Sequence, residues 1–255
     1  MHSISVVPLS FNTSSSLIDC FVDQIIAQNI SCELVVVLES ADCMFSHWKS
    51  SLGRLPAGFS FRLAVLPEGI SSKGACLNHA ISLSKGDFIM RCDMDDIILP
   101  TRMSDFLAVI HSSSLCDVYY SDMFSKDKKT ILSYPSRYLS LYSIFRNPVP
   151  APTVFFNRHA FAKYKVAYPY QNLCEDLSVI LKFIDRKASF YKINTPSVLY
   201  SSQNLYRSSS NWLANAFVRM RRDRYDVVGL LSLLFGFFLF TLVFLYSFVK
   251  RLLKL

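Results

Sequence analysis

The chain has 255 residues, 51% of them hydrophobic, with 21 Phe and 13 Tyr, enough for one α/β domain plus an appendage or two small domains. Its formal charge is +8, but residues 219–255 hold seven Lys/Arg against two Asp, or +5, leaving +3 (20 basic minus 17 acidic) for residues 1–218. That body carries no basic-aromatic stripe, so a nucleic-acid binder is not expected. Seven scattered cysteines without a CxxC pair suit free thiols in a reducing compartment better than a disulfide framework or a zinc site.

The N-terminal stretch "MHSISVVPLSFN" lacks a basic region and a long apolar core, so it does not read as a signal peptide. Residues 3–9, "SISVVPL", predict a strand. Residues 17–28, "LIDCFVDQIIAQ", place Leu17, Ile18, Phe21, Val22, Ile25 and Ile26 at helical spacing. The continuous apolar run "CELVVVLES" at 32–40 predicts a strand buried on both faces. Strand, helix and strand in 40 residues imply a parallel sheet. A third strand follows at 61–67, a helix at 72–86 that Gly86 is expected to close in the left-handed conformation, and a fourth strand at 87–93. In open sheets of this kind ligands gather beyond the carboxyl ends of the strands, where Asn12, Glu39 and the cluster Asp93, Asp95 and Asp96 fall.

Beyond Pro100, "TRMSDFLAVIHSS" predicts a helix and "DVYYSDMF" a strand. The proline-rich 147–161 reads as a rigid loop entering a strand. Residues 172–187 read as a helix with Glu175 and Asp176 in its first turn, and "SFYKINTPSVLYSSQ" as a last strand. Residues 227–249, "VVGLLSLLFGFFLFTLVFLYSFV", contain no charge and as a helix would extend roughly 34 Å, enough to cross a bilayer core of about 30 Å. A single membrane-spanning helix is expected there, between a basic segment at 219–226 and a short basic tail at 250–255. The free cysteines and missing signal peptide favour a cytoplasmic body at the cell (inner) membrane.

Three carboxylates within four residues repel one another unless a cation or partner neutralises them. On one strand Asp93 and Asp95 share a face, and with Asp96 they make an oxygen-rich seat for Mg²⁺ or Mn²⁺, which keep waters and take substrate phosphate as further ligands. Solvated capping residues would explain one of the three. Haloacid-dehalogenase-type phosphatases also place such a pair after a strand, with the first Asp as nucleophile. They follow it with small residues, where this chain has Asp96-Ile97.

Taken in order, these segments resemble glycosyltransferase family 2, whose fold is GT-A. The resemblance is carried by "ISVVPLSFN", "ELVVVLES", "GACLNHAISLSKGDFI", "RCDMDDIILPTR", "NPVPAPTVFFNR", "CEDLSVILKF" and "LYSSQNLYRSSSNW", and covers roughly residues 3–212. It implies an α/β, Rossmann-like, mostly parallel central sheet flanked by helices. Residues 1–218 would be the catalytic domain, with 1–100 the nucleotide-sugar half and 101–218 the acceptor half. Asp95 would hold the metal with Asp93 and Asp96. Asp93, Glu39, Asn78 and Arg207 would contact the nucleotide-diphosphate-sugar. Asp176 would be the general base on the acceptor hydroxyl, oriented by Glu175.

Two positions depart from the family pattern. The second strand ends in "LESAD" instead of Asp-Asp-Gly-Ser, making Glu39 the nearest substitute, and Ala151 stands where many relatives carry His. The reading is a metal-dependent inverting transferase acting on a glycan or lipid-linked saccharide in surface-polysaccharide assembly. The competing readings are the phosphatase and a catalytically silent, membrane-anchored nucleotide-sugar-binding partner protein.

Overall fold

The computed structural model describes residues 2–10, 13–40, 43–125, 130–143, 147–170 and 174–201. The expected contacts of Asn12 and Arg207, the basic segment, the membrane span and the tail therefore lie outside the described residues. Among the described residues no helix is long and apolar enough to cross a membrane.

The first half alternates strand and helix: β1 (Ile4–Leu9), α1 (Ser15–Ile26), β2 (Glu33–Leu38), α2 (Phe45–Leu52), β3 (Ser60–Val65), α3 (Lys73–Leu83) and β4 (Phe88–Asp93). In the second half come β5 (Ile97–Ile98), α4 (Arg102–Ser112), β6 (Val118–Phe124), β7 (Ile131–Leu132), α5 (Leu139–Tyr142), β8 (Phe155–Asn157), α6 (Arg158–Lys163), α7 (Glu175–Asp185) and β9 (Phe190–Leu199). The described strands form one sheet in the order β3-β2-β1-β4-β8-β6-β9-β5, with β7 on β6. β3, β2, β1 and β4 run parallel. β8 is antiparallel to both β4 and β6, and β6 runs parallel to β9.

Both sheet faces are covered, and the period-two side-chain alternation of strands divides the core accordingly. Val6, Leu34, Val36, Leu38 and Met90 join α1, α2 and α4 through Phe21, Trp48 and Phe106. Val7, Val35, Val37 and Ile89 join α3, α6 and α7 through Leu77, Phe161 and Phe183. After Glu33 the Val-rich β2 is therefore apolar to its end. α1 buries Ile18, Phe21, Val22 and Ile25, the i, i+3, i+4, i+7 stripe of a helix lying on a sheet.

Two local expectations change. A helix at 45–52 was not expected; α2 buries only Trp48, Ser51 and Leu52, too few apolar positions to show a period. Gly86 does not close α3 in the left-handed conformation, because the helix ends at Leu83 with Ser84 extended. Gly86 is required by close approach: a Cβ there would lie 2.5 Å from the Ser5 nitrogen and 2.8 Å from the Ile4 carbonyl carbon. The Gly86 N–H donates to Ser5 Oγ at 2.8 Å, as the chain turns into β4 beside β1.

Candidate active site

β4 is apolar except for Arg91 and its terminal Asp93, which sit two residues apart and so share the face covered by α3 and α7. Arg91 is 2% exposed. Its Nη1 pairs with Asp93 Oδ1, and its Nη2 donates to Asp176 Oδ2 at 3.1 Å. One buried guanidinium thus ties the end of β4 to the first turn of α7, across 85 residues of sequence. Arg102, also buried, grips the same strand from α4: its Nη2 donates to the Arg91 carbonyl at 2.8 Å, and its guanidinium lies over the Phe155 ring. The sequence reading missed Arg91. The available signal was a lone cation inside an apolar strand, a residue type seldom fully buried unless paired.

Asp176 occupies the first turn of α7 beside buried Glu175, where the helix dipole favours negative charge. Its side chain is 23% exposed, while its Oδ1 is buried without a hydrogen-bond partner. Burial pushes the carboxyl up to about 7; Asp93 and Glu175 add to the rise, whereas Arg91 and Lys73 oppose it. A carboxylate so poised can take a proton near neutral pH. Tyr168 is buried against this group, and its phenol is held well above the ordinary value by burial and by Asp176.

The acidic turn after β4 divides its carboxylates. Asp93 faces Arg91, Asp95 is exposed, and Asp96 is 4% exposed. Asp96 Oδ1 accepts from the Ser201 N–H at 2.8 Å, and its Oδ2 is buried without a partner. Burial first, then the charges of Asp93 and Asp95, push Asp96 up to about 8. Tyr200 lies in the same field, its phenol raised by burial and by Asp96, Asp93 and Asp95. Among the described residues no three His, Cys, Asp or Glu side chains are gathered as a ready metal cage. The oxygens present fit a hard cation held by one or two carboxylates and completed by water and phosphate, the usual manner of Mg²⁺. The orphaned Asp96 oxygen and the crowding of three carboxylates favour such an ion.

Glu39 follows β2 on the same edge of the sheet, and its Oε1 is buried without a hydrogen-bond partner. Ala151 opens a 3₁₀ turn, Ala151–Thr153, packed beside β4. Asn78, expected on the nucleotide, is committed elsewhere. Its Nδ2 donates to the Tyr168 carbonyl and its Oδ1 accepts the Tyr168 N–H, both at 2.9 Å.

No family model matches the sequence, and no curated protein matches it. Solved structures do. TarS 1-349 from S. aureus superposes with a TM-score of 0.64 at 17% identity, covering 87% of this chain and 66% of that one. A mannosyltransferase from Pyrobaculum calidifontis, in complex with GDP-Man and Mn²⁺, gives 0.65 at 12% identity, covering 92% and 69%. Glucosyl-3-phosphoglycerate synthase from Mycobacterium tuberculosis, in complex with Mn²⁺, UDP and phosphoglyceric acid, gives 0.61 at 16% identity, covering 89% and 80%. The fold is GT-A. The chain spans only 40% of a longer TarS structure, so the GT-A core is what the two share.

Proposed function

We propose that the chain is a metal-dependent, inverting glycosyltransferase that moves a sugar from a nucleotide-diphosphate donor to a hydroxyl acceptor. The observation that carries this reading is the Arg91 bridge, which joins the acidic end of β4 to a carboxylate on α7 within a GT-A fold. Solved structures of the same fold hold UDP-GlcNAc in TarS 1-349 and GDP-Man with Mn²⁺ in the mannosyltransferase, which supports the donor class and the cation. Asp95, with Asp93 and Asp96, would hold Mn²⁺ or Mg²⁺, and Glu39 would meet the nucleoside. When bound, the cation offsets charge on the leaving diphosphate.

The acceptor oxygen forms a new bond at the anomeric carbon as its proton passes to Asp176. The sugar–phosphate C–O bond breaks, and its electron pair leaves with the nucleoside diphosphate. Inversion requires the base to stand on the face opposite the leaving group, as in inverting hydrolases. Arg91 holds the Asp176 carboxylate in place and favours its ionised form. Membership of glycosyltransferase family 2, a glycan or lipid-linked acceptor, a role in surface polysaccharide assembly and a membrane anchor at 227–249 with the body cytoplasmic belong to the same proposal. Their support is the motif order and the uncharged C-terminal run.

The test is calorimetric titration of UDP and GDP into the full-length protein with and without Mn²⁺, alongside sugar transfer by wild type, Asp95→Ala and Asp176→Asn. Binding of one nucleotide should require Mn²⁺ and be lost in Asp95→Ala. Asp176→Asn should bind normally and lose about 10²–10⁴-fold in turnover. Folded wild-type protein that binds neither nucleotide refutes the reading.

A further inference from the structure

We propose that the first turns of α3 form a clamp that positions the base, so that Ser72, Gly74 and Asn78 act on the acceptor side of the reaction and not on the donor. The inference rests on the transferase reading with Asp176 as base. Its evidence is a row of contacts to three consecutive residues. Asn78 brackets the Tyr168 peptide, taking its N–H on Oδ1 and giving Nδ2 to its carbonyl. Ser72 Oγ donates to the Tyr170 carbonyl at 2.7 Å while accepting the Ala75 N–H as the cap of α3. Between them the main chain comes so close that a Cβ on Gly74 would stand 1.9 Å from the Pro169 oxygen.

Each of these contacts is to main-chain atoms, and the Tyr170 ring itself is exposed. What α3 fixes is the path of residues 167–170, a strap laid across its first turns. From the other side Lys182 Nζ, on α7, donates to the Ala167 carbonyl at 3.2 Å. The strap matters to the base in two ways. Lys182 lies on the helix that carries Asp176, and the Tyr168 side chain, 3% exposed, belongs to the same core cluster as Val179, Ile180 and Phe183 of that helix. Fixing the Tyr168 peptide from α3 therefore fixes the segment that packs against the helix carrying Asp176. The two polar ends of Asn78 are spent on that peptide, which leaves its amide poorly placed to read a nucleotide.

Amide hydrogen exchange on the full-length protein reads the clamp directly, and kinetics read its consequence. In Asn78→Leu the Tyr168 amide should exchange at least about tenfold faster. Turnover should fall by about 10- to 100-fold, the loss expected when a reacting group is displaced by an ångström. Nucleotide Kd, measured with UDP and GDP in Mn²⁺, should stay within about twofold of wild type. Ser72→Ala removes one contact and reads the same strap if Asn78→Leu does not fold; Ser72→Thr, which keeps the hydroxyl, should restore both exchange and turnover. Unchanged exchange at Tyr168, or weakened nucleotide binding with turnover preserved, overturns the clamp. Wild-type protein with neither nucleotide binding nor transfer overturns the transferase reading instead, and exchange at Tyr168 still decides the clamp.

Discussion

Replacing Arg91 with Met removes a buried cation and leaves its space filled by an apolar chain of similar reach. The Arg91–Asp176 separation is 3.1 Å, so at an effective dielectric of about 20 the gross attraction is about 5 kcal/mol. Asp176 is partly open to solvent at 23% exposure, and screening trims that to roughly a fifth to a half, about 1–3 kcal/mol. At 1.36 kcal/mol per pKa unit the base should move up by about 1–2 units from its value of about 7. The sign is fixed by the charge: losing a cation favours the protonated carboxyl. The acid limb of kcat/KM, which reports groups of the free enzyme, should therefore shift to higher pH in Arg91→Met, with the alkaline plateau kept. Stability follows the same linkage. With the folded-state pKa raised above the unfolded one, the folded protein binds the extra proton and its stability falls as pH rises through that window. The melting temperature of Arg91→Met, measured without nucleotide or divalent cation, should trail wild type by more at pH 8.5 than at pH 5. A loss equal at both pH values, or an acid limb that stays put or moves down, refutes the claim that Arg91 governs the ionisation of Asp176.

Mn²⁺ binding at neutral pH should release protons, because Asp96 is held up to about 8 by burial and by Asp93 and Asp95 and a cation requires the ionised form. Calorimetry in two buffers of different ionisation enthalpy reads the count, and identical heats in both argue against Asp96 in the cation site. Gly86→Ala should cost about 1–3 kcal/mol or more, since its Cβ would meet β1 backbone that cannot rotate away. Thermal unfolding checks this, at about 2–4 °C per kcal/mol for a domain of this size.

The parts of the fold that could be read from sequence are those whose signal is local. β2 declares itself by an unbroken apolar run, α1 by its helical stripe, and β4 by an apolar run ending in acid. The elements that escaped are short or carry little apolar surface: α2, the two-residue strands β5 and β7, the four-residue α5, and α6, six residues long. Pairing hides from sequence as well. β8 lies between β4 and β6 and turns the parallel half into a mixed sheet, a position decided by packing and not by composition. The site divides the same way. Asp93, Asp95, Asp96, Glu175 and Asp176 stand out as acid clusters, whereas Arg91 acquires meaning only from a partner 85 residues away. Asn78, expected on the nucleotide, bonds a peptide 90 residues away, a partner that no local pattern announces.

The crowded carboxylates on the turn after β4 now have a physical account. Asp93 is neutralised by Arg91, and Asp96 is buried with one oxygen satisfied by the Ser201 N–H and the other orphaned. Asp95 remains at the surface beside them. Among the described residues, Arg91, Arg102 and Lys73 are cations that bear on Asp96 or Asp176. Burial first, and then the neighbouring negative charge, is why Asp96 and Asp176 both hold their protons more tightly than ordinary carboxyls. The crowding of negative charge can be relieved by protons or by a divalent cation, and under the proposed reading the cation would leave Asp176 ionised to take the acceptor's proton. A cation held by Asp93, Asp95 and Asp96 would offset the charge of these carboxylates and of the diphosphate. Arg91 touches both Asp93 and Asp176, so in the proposed reaction the guanidinium ties the donor end of β4 to the carboxylate that would act as base.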